Sequence, residues 1–168
     1  MQTPTHILIG AAIQKAVERR LPGPLVPWVT APLALLSHGV LDKLARFTYH
    51  PPQPQWRDPF WVAFHAAVLA GSVGLLRRYG HRYKWGVRFA TAQDLEWVAA
   101  HLARTLRPGT DLFGDASPHR VVSQALDRVP GVRALEQLPR WTHRKEAALL
   151  EVALIGVALW ALQTGEEP

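Results

Sequence analysis

Two stretches of the chain, Phe60–Leu76 and Ala147–Leu162, are almost unbroken in apolar residues, with His65 and Glu151 as the clear exceptions. A helix apolar around its whole circumference must be covered on every side, by other protein or by lipid. Both runs fall at or below the ~20 residues of a bilayer span. Two architectures are therefore open, a soluble helical core or a bundle embedded in or attached to a bilayer. The basic cluster Arg77-Arg78-Tyr79-Gly80-His81-Arg82-Tyr83-Lys84 follows the first run directly. In the membrane reading the positive-inside rule makes it cytoplasmic.

Punctuation between the apolar runs predicts helices throughout. No Asn-Gly or Asp-Gly hairpin turn lies between alternating runs, so strand signals are poor. A first helix starts at Thr3 or Pro4, with Thr3 as cap, and stops at Leu21–Pro24. A second runs from Val29 or Pro32 to Phe47 and ends at Pro51–Pro52. After a proline-rich loop, 49–59, a third covers Phe60–Arg78. The basic loop, 77–88, leads into a fourth from Lys84 to Leu106, closed by Arg107-Pro108-Gly109. Ser117-Pro118 starts a short fifth helix that ends before Pro130-Gly131, and a last helix runs from near Thr142 to Gly165. The expectation is a single all-α domain over residues 1–168, a bundle of five or six helices.

Composition narrows the chemistry. With 168 residues and 48% apolar types there is ample material for a core. No cysteine is present, which excludes a disulfide scaffold, a thiolate zinc finger, an iron–sulfur cluster and a cysteine nucleophile. A metal site must then be built from His, Asp and Glu. Nineteen Lys and Arg against 13 Asp and Glu give a net charge of +6, suited to phosphate in lipid headgroups or nucleic acid. Met1–Gly10 has no basic leader and Lys15, Glu18, Arg19 and Arg20 interrupt the following apolar run, so no secretory signal is expected. No P-loop, dinucleotide fingerprint, nucleophile elbow or His-Glu-x-x-His occurs.

Ser37-His38-Gly39-Val40-Leu41-Asp42 is the most informative segment. His38 and Asp42 are four apart and project from one helical face. One cation can then take an imidazole nitrogen and a carboxylate oxygen from a single rigid element. Ala31, Ala34, Leu35 and Ala45 share the stripe, so the pair faces other helices. A buried His hydrogen-bonded to Asp at i+4 is the plain alternative. Three further helices repeat the theme: His6 shares a stripe with Gly10, Ile13 and Val17, Asp94 with Val87, Val98 and His101, and His119 lies in a first turn. Inward carboxylates are costly unless paired or metal-bound. Neutral imidazole with ionised carboxylate suits zinc, or a two-metal site with manganese or iron. The ligand candidates are His6, His38, Asp42, Asp94 and His119, with His50 and His101 in reserve. His65 is expected in the core, and Glu151 as a buried hydrogen-bond partner or a general base.

Thr5-His6-Ile7-Leu8-Ile9-Gly10 and Leu36-Ser37-His38-Gly39-Val40-Leu41-Asp42 together resemble a bacterial family of membrane-bound, metal-dependent hydrolases. That family is distantly similar to the all-helical zinc-dependent phospholipase C and nuclease fold. On this resemblance His6, His38 and Asp42 match directly. Asp94 in Gln93-Asp94-Leu95-Glu96-Trp97 resembles a Pro-Asp helix start, with Gln93 in place of proline, and His119 in Ser117-Pro118-His119-Arg120 resembles a later histidine. Where many relatives carry a histidine soon after the aspartate, this chain has Arg46, with His50 four residues on.

The sequence therefore implies a His/Asp metal site between helices one, two, four and five. There a metal-activated water attacks a phosphoester or related ester, on a small molecule or a lipid. An anionic membrane surface is the implied partner, with the location at a bacterial inner membrane, or in the cytoplasm if the chain is soluble. Two other classes stay open. A non-catalytic helical membrane protein would use the same polar residues as interhelical hydrogen-bond partners, and a basic nucleic-acid-binding module would rest on the 77–88 loop. The seven tryptophans, Trp28, Trp56, Trp61, Trp85, Trp97, Trp141 and Trp160, fall largely near expected helix ends, as in an interfacial belt or as in ordinary packing.

Overall fold

The structure, a computed structural model, describes residues 1–164 except Pro52, Pro108, Thr110, Asp111, Asp115 and Ala116, and describes Trp97 and Pro118 by backbone alone. Pro52, Pro108 and Gly165, expected at helix ends, and the Trp97 side chain, expected beside Asp94, lie outside the described residues. The helices are α1 (Thr3–Glu18), α2 (Val26–Leu44), α3 (Pro59–Tyr79), α4 (Lys84–Leu106), α5 (Pro118–Asp127), α6 (Pro130–Arg133) and α7 (Ala148–Gln163). Among the described residues there is no strand, and the chain is all-α. The six expected helices are present, and the single turn α6 is additional. Pro130 opens that turn, because proline is tolerated where the backbone N–H has no helical partner.

Three helices have boundaries that differ from expectation. Gln2, not Thr3, takes the cap position of α1, and Thr3 is already helical. α2 begins at Val26 with Pro32 inside it, one helical hydrogen bond short; its α-helical part ends at Leu44 and a 3₁₀ turn carries on to Phe47. α7 starts at Ala148 and not near Thr142, because the preceding backbone is engaged elsewhere. Trp141 N donates to Arg46 O (2.7 Å), and Thr142 O accepts from His50 N (3.0 Å).

α1 is the central helix, packed against α2, α3, α4 and α7. Its approach to α4 is set by Gly10 and Gly86, where a Cβ on either would collide with the backbone of the other. Gln14 Oε1 accepts from the Gly86 N–H at the same crossing (2.8 Å). α1, α3 and α7 start at one end of the bundle. There Gln2 N donates to Glu151 of α7 (2.7 Å), and Tyr49 packs against Phe60 and Phe64 of α3. Along the bundle Ile7, Leu8 and Ala11 meet Tyr79, Tyr83, Val87, Ala158 and Leu162, and α1 and α7 finish together at the other end. Lys15 Nζ there donates to the Leu162 and Thr164 carbonyls, satisfying the C-terminus of α7. α2 and α4 run the opposite way.

Among the described residues, three segments are long and apolar enough to cross a membrane: Gly23–Phe47 (25 residues, mean hydropathy 1.4), Pro59–Tyr79 (21 residues, 1.6) and Lys145–Gln163 (19 residues, 1.6). The last two contain the runs evident in the sequence. The first is masked there by Pro27, Pro32, His38, Asp42 and Lys43, which interrupt its apolar pattern.

Candidate metal centre

The centre is assembled where α1, α2 and α4 meet. His38 and Asp42 project from one face of α2, with His38 Nε2 3.1 Å from Asp42 Oδ2. His6, in the first turns of α1, is fully buried and brings Nε2 to 3.4 Å from Asp42 Oδ1. The His6 and His38 rings stack, 3.9 Å between centroids and 15° from parallel. One donor atom from each of His6, His38 and Asp42 lies within 4.8 Å of the others.

The hydrogen bonds fix which nitrogens are free. His38 Nδ1 is 2.6 Å from the Ala90 carbonyl oxygen of α4. A carbonyl only accepts, so Nδ1 carries a proton, and Nε2 is the nitrogen turned to the Asp42 carboxylate. His6 makes no hydrogen bond through either ring nitrogen, although both are buried. Its Nε2 is close to the carboxylate without hydrogen-bond geometry. Burial, the largest influence, holds the His6 pKa below the ordinary histidine value, with the Asp42 carboxylate opposing and His38 reinforcing. Burial thus favours the neutral form of His6, which faces Asp42 Oδ1 at 3.4 Å.

Asp94 and His119 stand at the edge of the trio. Asp94 Oδ1 is 3.9 Å from His38 Nε2, and its other oxygen accepts from Thr3 Oγ1 (3.3 Å). His119 Nδ1 is 3.9 Å from Asp42 Oδ2 and 3.1 Å from Gln93 Oε1. Gln93 Nε2 donates to Leu35 O (3.3 Å), which orients the amide with its oxygen toward His119. His119 thus donates from Nδ1 and keeps its lone pair on Nε2. Glu96 holds the start of α5 beneath it: Oε2 accepts from His119 N (2.9 Å), and Oε1 accepts from Ser117 Oγ. The Met1 ammonium lies 3.0 Å from Asp42 Oδ1.

His50 lines the same cavity and receives Gln2 Nε2 at Nδ1 (3.2 Å), outside the trio. His101 does not line the cavity. It is exposed, as is Val98 on the stripe expected to face inward; α4 continues past the point where α1 and α2 cover it. His65 is half-buried and stacks on Trp61 at 4.1 Å. Glu151 is buried, its Oε1 accepting from Gln2 N and from Thr5 Oγ1 (2.7 Å each) while Oε2 has no partner.

Gln93, Glu96 and Thr3 are the supporting residues whose roles sequence reasoning missed. Amide and carboxylate residues on a helix ordinarily face water, and nothing in their spacing marks these as different. The cavity, about 770 Å³, is lined by Met1, His38, Asp42, Asp94 and His119 together with Pro51, Pro54, Trp61 and Val98. No family model, curated protein or solved structure matches the chain.

Proposed function

We propose that the chain is a membrane-embedded, metal-dependent hydrolase that cleaves a phosphoester or related ester. The observation carrying this reading is the convergence on Asp42 of two imidazoles: His38, its Nδ1 committed to the Ala90 carbonyl and its Nε2 facing the carboxylate, and a fully buried His6 that makes no hydrogen bond. Leaving a buried polar group without a hydrogen bond costs ~1–3 kcal/mol, and both ring nitrogens of His6 are in that state. A cation accepting the Nε2 lone pairs removes that cost, and two neutral imidazoles with one carboxylate are the donor set of a zinc site. The resemblance of Thr5-His6 and Ser37-His38-x-x-x-Asp42 to metal-dependent hydrolases supports the same reading.

Bound there, a divalent cation would lower the pKa of a water from about 15.7 to near 7 and stabilise developing negative charge. His6, His38 and Asp42 hold it. Ala90 O and Gln93 orient His38 and His119, Thr3 steadies Asp94, and the cavity admits the ester. For the location, the apolar window of α3 is only 11% buried within the protein, a surface suited to lipid and costly in water.

A second reading, a non-catalytic membrane protein with interhelical polar contacts, is favoured by one observation: the Met1 ammonium already gives Asp42 a cation at 3.0 Å. Elemental analysis of protein purified without a nickel column separates the two. The hydrolase reading expects stoichiometric metal. It also expects His38→Ala and Asp42→Asn to lower affinity by more than the ~10–100-fold that loss of a supporting residue costs. Metal-free wild type, or variants with undiminished metal, would overturn it.

A further inference from the structure

We infer that His50 binds the substrate and not the cation: it presents an Nε2–H donor in the cavity to an anionic oxygen of the ester, or of the acid released from it. The inference rests on the hydrolase reading above and deepens it by naming the protein group that meets the substrate.

The protonation of the ring follows from its neighbours. Gln2 Nε2 lies 3.4 Å from the Tyr49 carbonyl oxygen and 3.2 Å from His50 Nδ1. The carbonyl can only accept, so the Gln2 amide turns its NH₂ group to both, and its second N–H meets the His50 ring. Nδ1 must then hold a lone pair, which places the ring proton on Nε2. His38 and His119 are committed the other way, each donating from Nδ1, to Ala90 O and to Gln93 Oε1. Nε2 is the nitrogen those two leave for a cation. In His50 the lone pair is already taken, and the nitrogen left over is a donor.

The position is held from several sides. His50 lies in the proline-rich loop, yet its backbone N–H donates to Thr142 O (3.0 Å). The preceding Tyr49 is buried and packs on Phe60 and Phe64. Gln2 is buried too and is fixed through its own N–H on Glu151 (2.7 Å). An imidazole that only met water would need none of this support.

Elsewhere in the cavity the donors are spent. Asp42, Asp94 and Glu96 line it, and no described lining residue is Lys or Arg. The carboxylates already accept from Met1 N, Thr3 Oγ1 and Ser117 Oγ respectively, and Gln93 Nε2 donates to Leu35 O. Among the described lining residues, the side-chain donors without an acceptor are His50 Nε2 and the buried Trp61 Nε1. An oxyanion drawn to a cation at His6, His38 and Asp42 has further oxygens that need donors, and a wall of carboxylates repels them. The His50 N–H meets that need without adding a charge.

The test uses the full-length protein in detergent, labelled with nitrogen-15 histidine. In a long-range proton–nitrogen spectrum of the metal-free protein, with the His50 ring assigned through its backbone, the proton is on Nε2. Zinc shifts the ring nitrogens of His6 and His38 and leaves His50 near its metal-free position. Inorganic phosphate added next shifts His50 Nε2–H. By calorimetry, zinc-loaded His50→Ala binds inorganic phosphate about tenfold more weakly than wild type, at the same zinc content. His50→Gln, whose amide nitrogen reaches the Nε2 position, recovers most of the loss. A proton on Nδ1, or a zinc-induced shift at His50 as large as that at His38, overturns the inference. So does phosphate affinity that is absent from zinc-loaded wild type or equal in His50→Ala. Wild type that takes up no zinc overturns the hydrolase reading beneath it, whichever nitrogen of His50 carries the proton.

Discussion

α1 and α3 are inverted with respect to each other. α1 is the most enclosed helix in the molecule, yet it brings Thr5, His6, Gln14 and Lys15 into the interior, each less than 10% exposed. α3 is nearly continuous in apolar residues, yet it buries only Trp61, Ser72 and Tyr79 and leaves Leu69 67% exposed. In a water-soluble bundle the hydrophobic effect would drive the opposite assignment, apolar groups inward and polar groups out. The inversion is coherent where the surrounding solvent is lipid. Apolar surface then costs nothing outside, and polar side chains gather inside where each can find a partner. Gln14 bonds the Gly86 N–H, Lys15 the last carbonyls of α7, and Thr5 the Glu151 carboxylate. His6 is the exception, the one buried polar group of α1 with no hydrogen bond, and it lies in the proposed metal centre.

The sharpest way to break this comparison is a charge on the outer face of α3. Leu69→Arg is expected to oppose insertion by ~2.5–3.5 kcal/mol near the centre of a span. The measurement is the share of expressed protein recovered with membranes, which falls sharply. On a water-facing helix the same exposed position tolerates arginine within about 0.5 kcal/mol. An unchanged membrane fraction, or unchanged melting of a soluble protein, would show that the outer face of α3 meets water.

Much of this was legible in the residue pattern, and the reasons are specific. His38 and Asp42 were legible because i, i+4 on a helix fixes a shared face irrespective of tertiary context, and the two atoms meet at 3.1 Å. His6 was legible as a lone imidazole on an apolar stripe. The stripe of Asp94, Val98 and His101 was legible only in its first member, because periodicity gives a face but not how far a neighbour extends over it. Val98 and His101 lie past the end of that cover. The late start of α7 was hidden for a similar reason: the 141–142 backbone is held by residues 46 and 50, a pairing nearly a hundred positions distant. The third apolar segment, Gly23–Phe47, was obscured because the residues that build the site also break its hydropathy.

A smaller effect probes how α7 holds the centre from outside. Glu151 Oε1 accepts from Gln2 N and Thr5 Oγ1, fixing the first turn of α1 next to His6. Glu151→Ala strands both donors in a buried place and is expected to cost about 1–3 kcal/mol, read as a lower unfolding midpoint in detergent. Glu151→Gln keeps an acceptor oxygen and removes the buried charge, so it should recover most of the loss. If alanine and glutamine melt alike, the carboxylate does not hold α1.

The finest test concerns the protonation of His6 in metal-free protein. Burial sets its native pKa below the ordinary 6.5. Once the pH drops beneath 6.5, the unfolded chain takes up a proton that the folded chain refuses, so acid favours unfolding. The stability tied to a neutral His6 is complete above about pH 6.5 and declines as the pH falls toward the lowered native value. Metal affinity should fall in the same direction, because the cation needs the unprotonated nitrogen. Melting midpoints of the metal-free protein between pH 7.5 and 5.5 should therefore decrease, with a shallower decrease in His6→Asn. Equal slopes in the two proteins would mean that His6 is already protonated in the native state, which the interior of α1 does not accommodate without a partner.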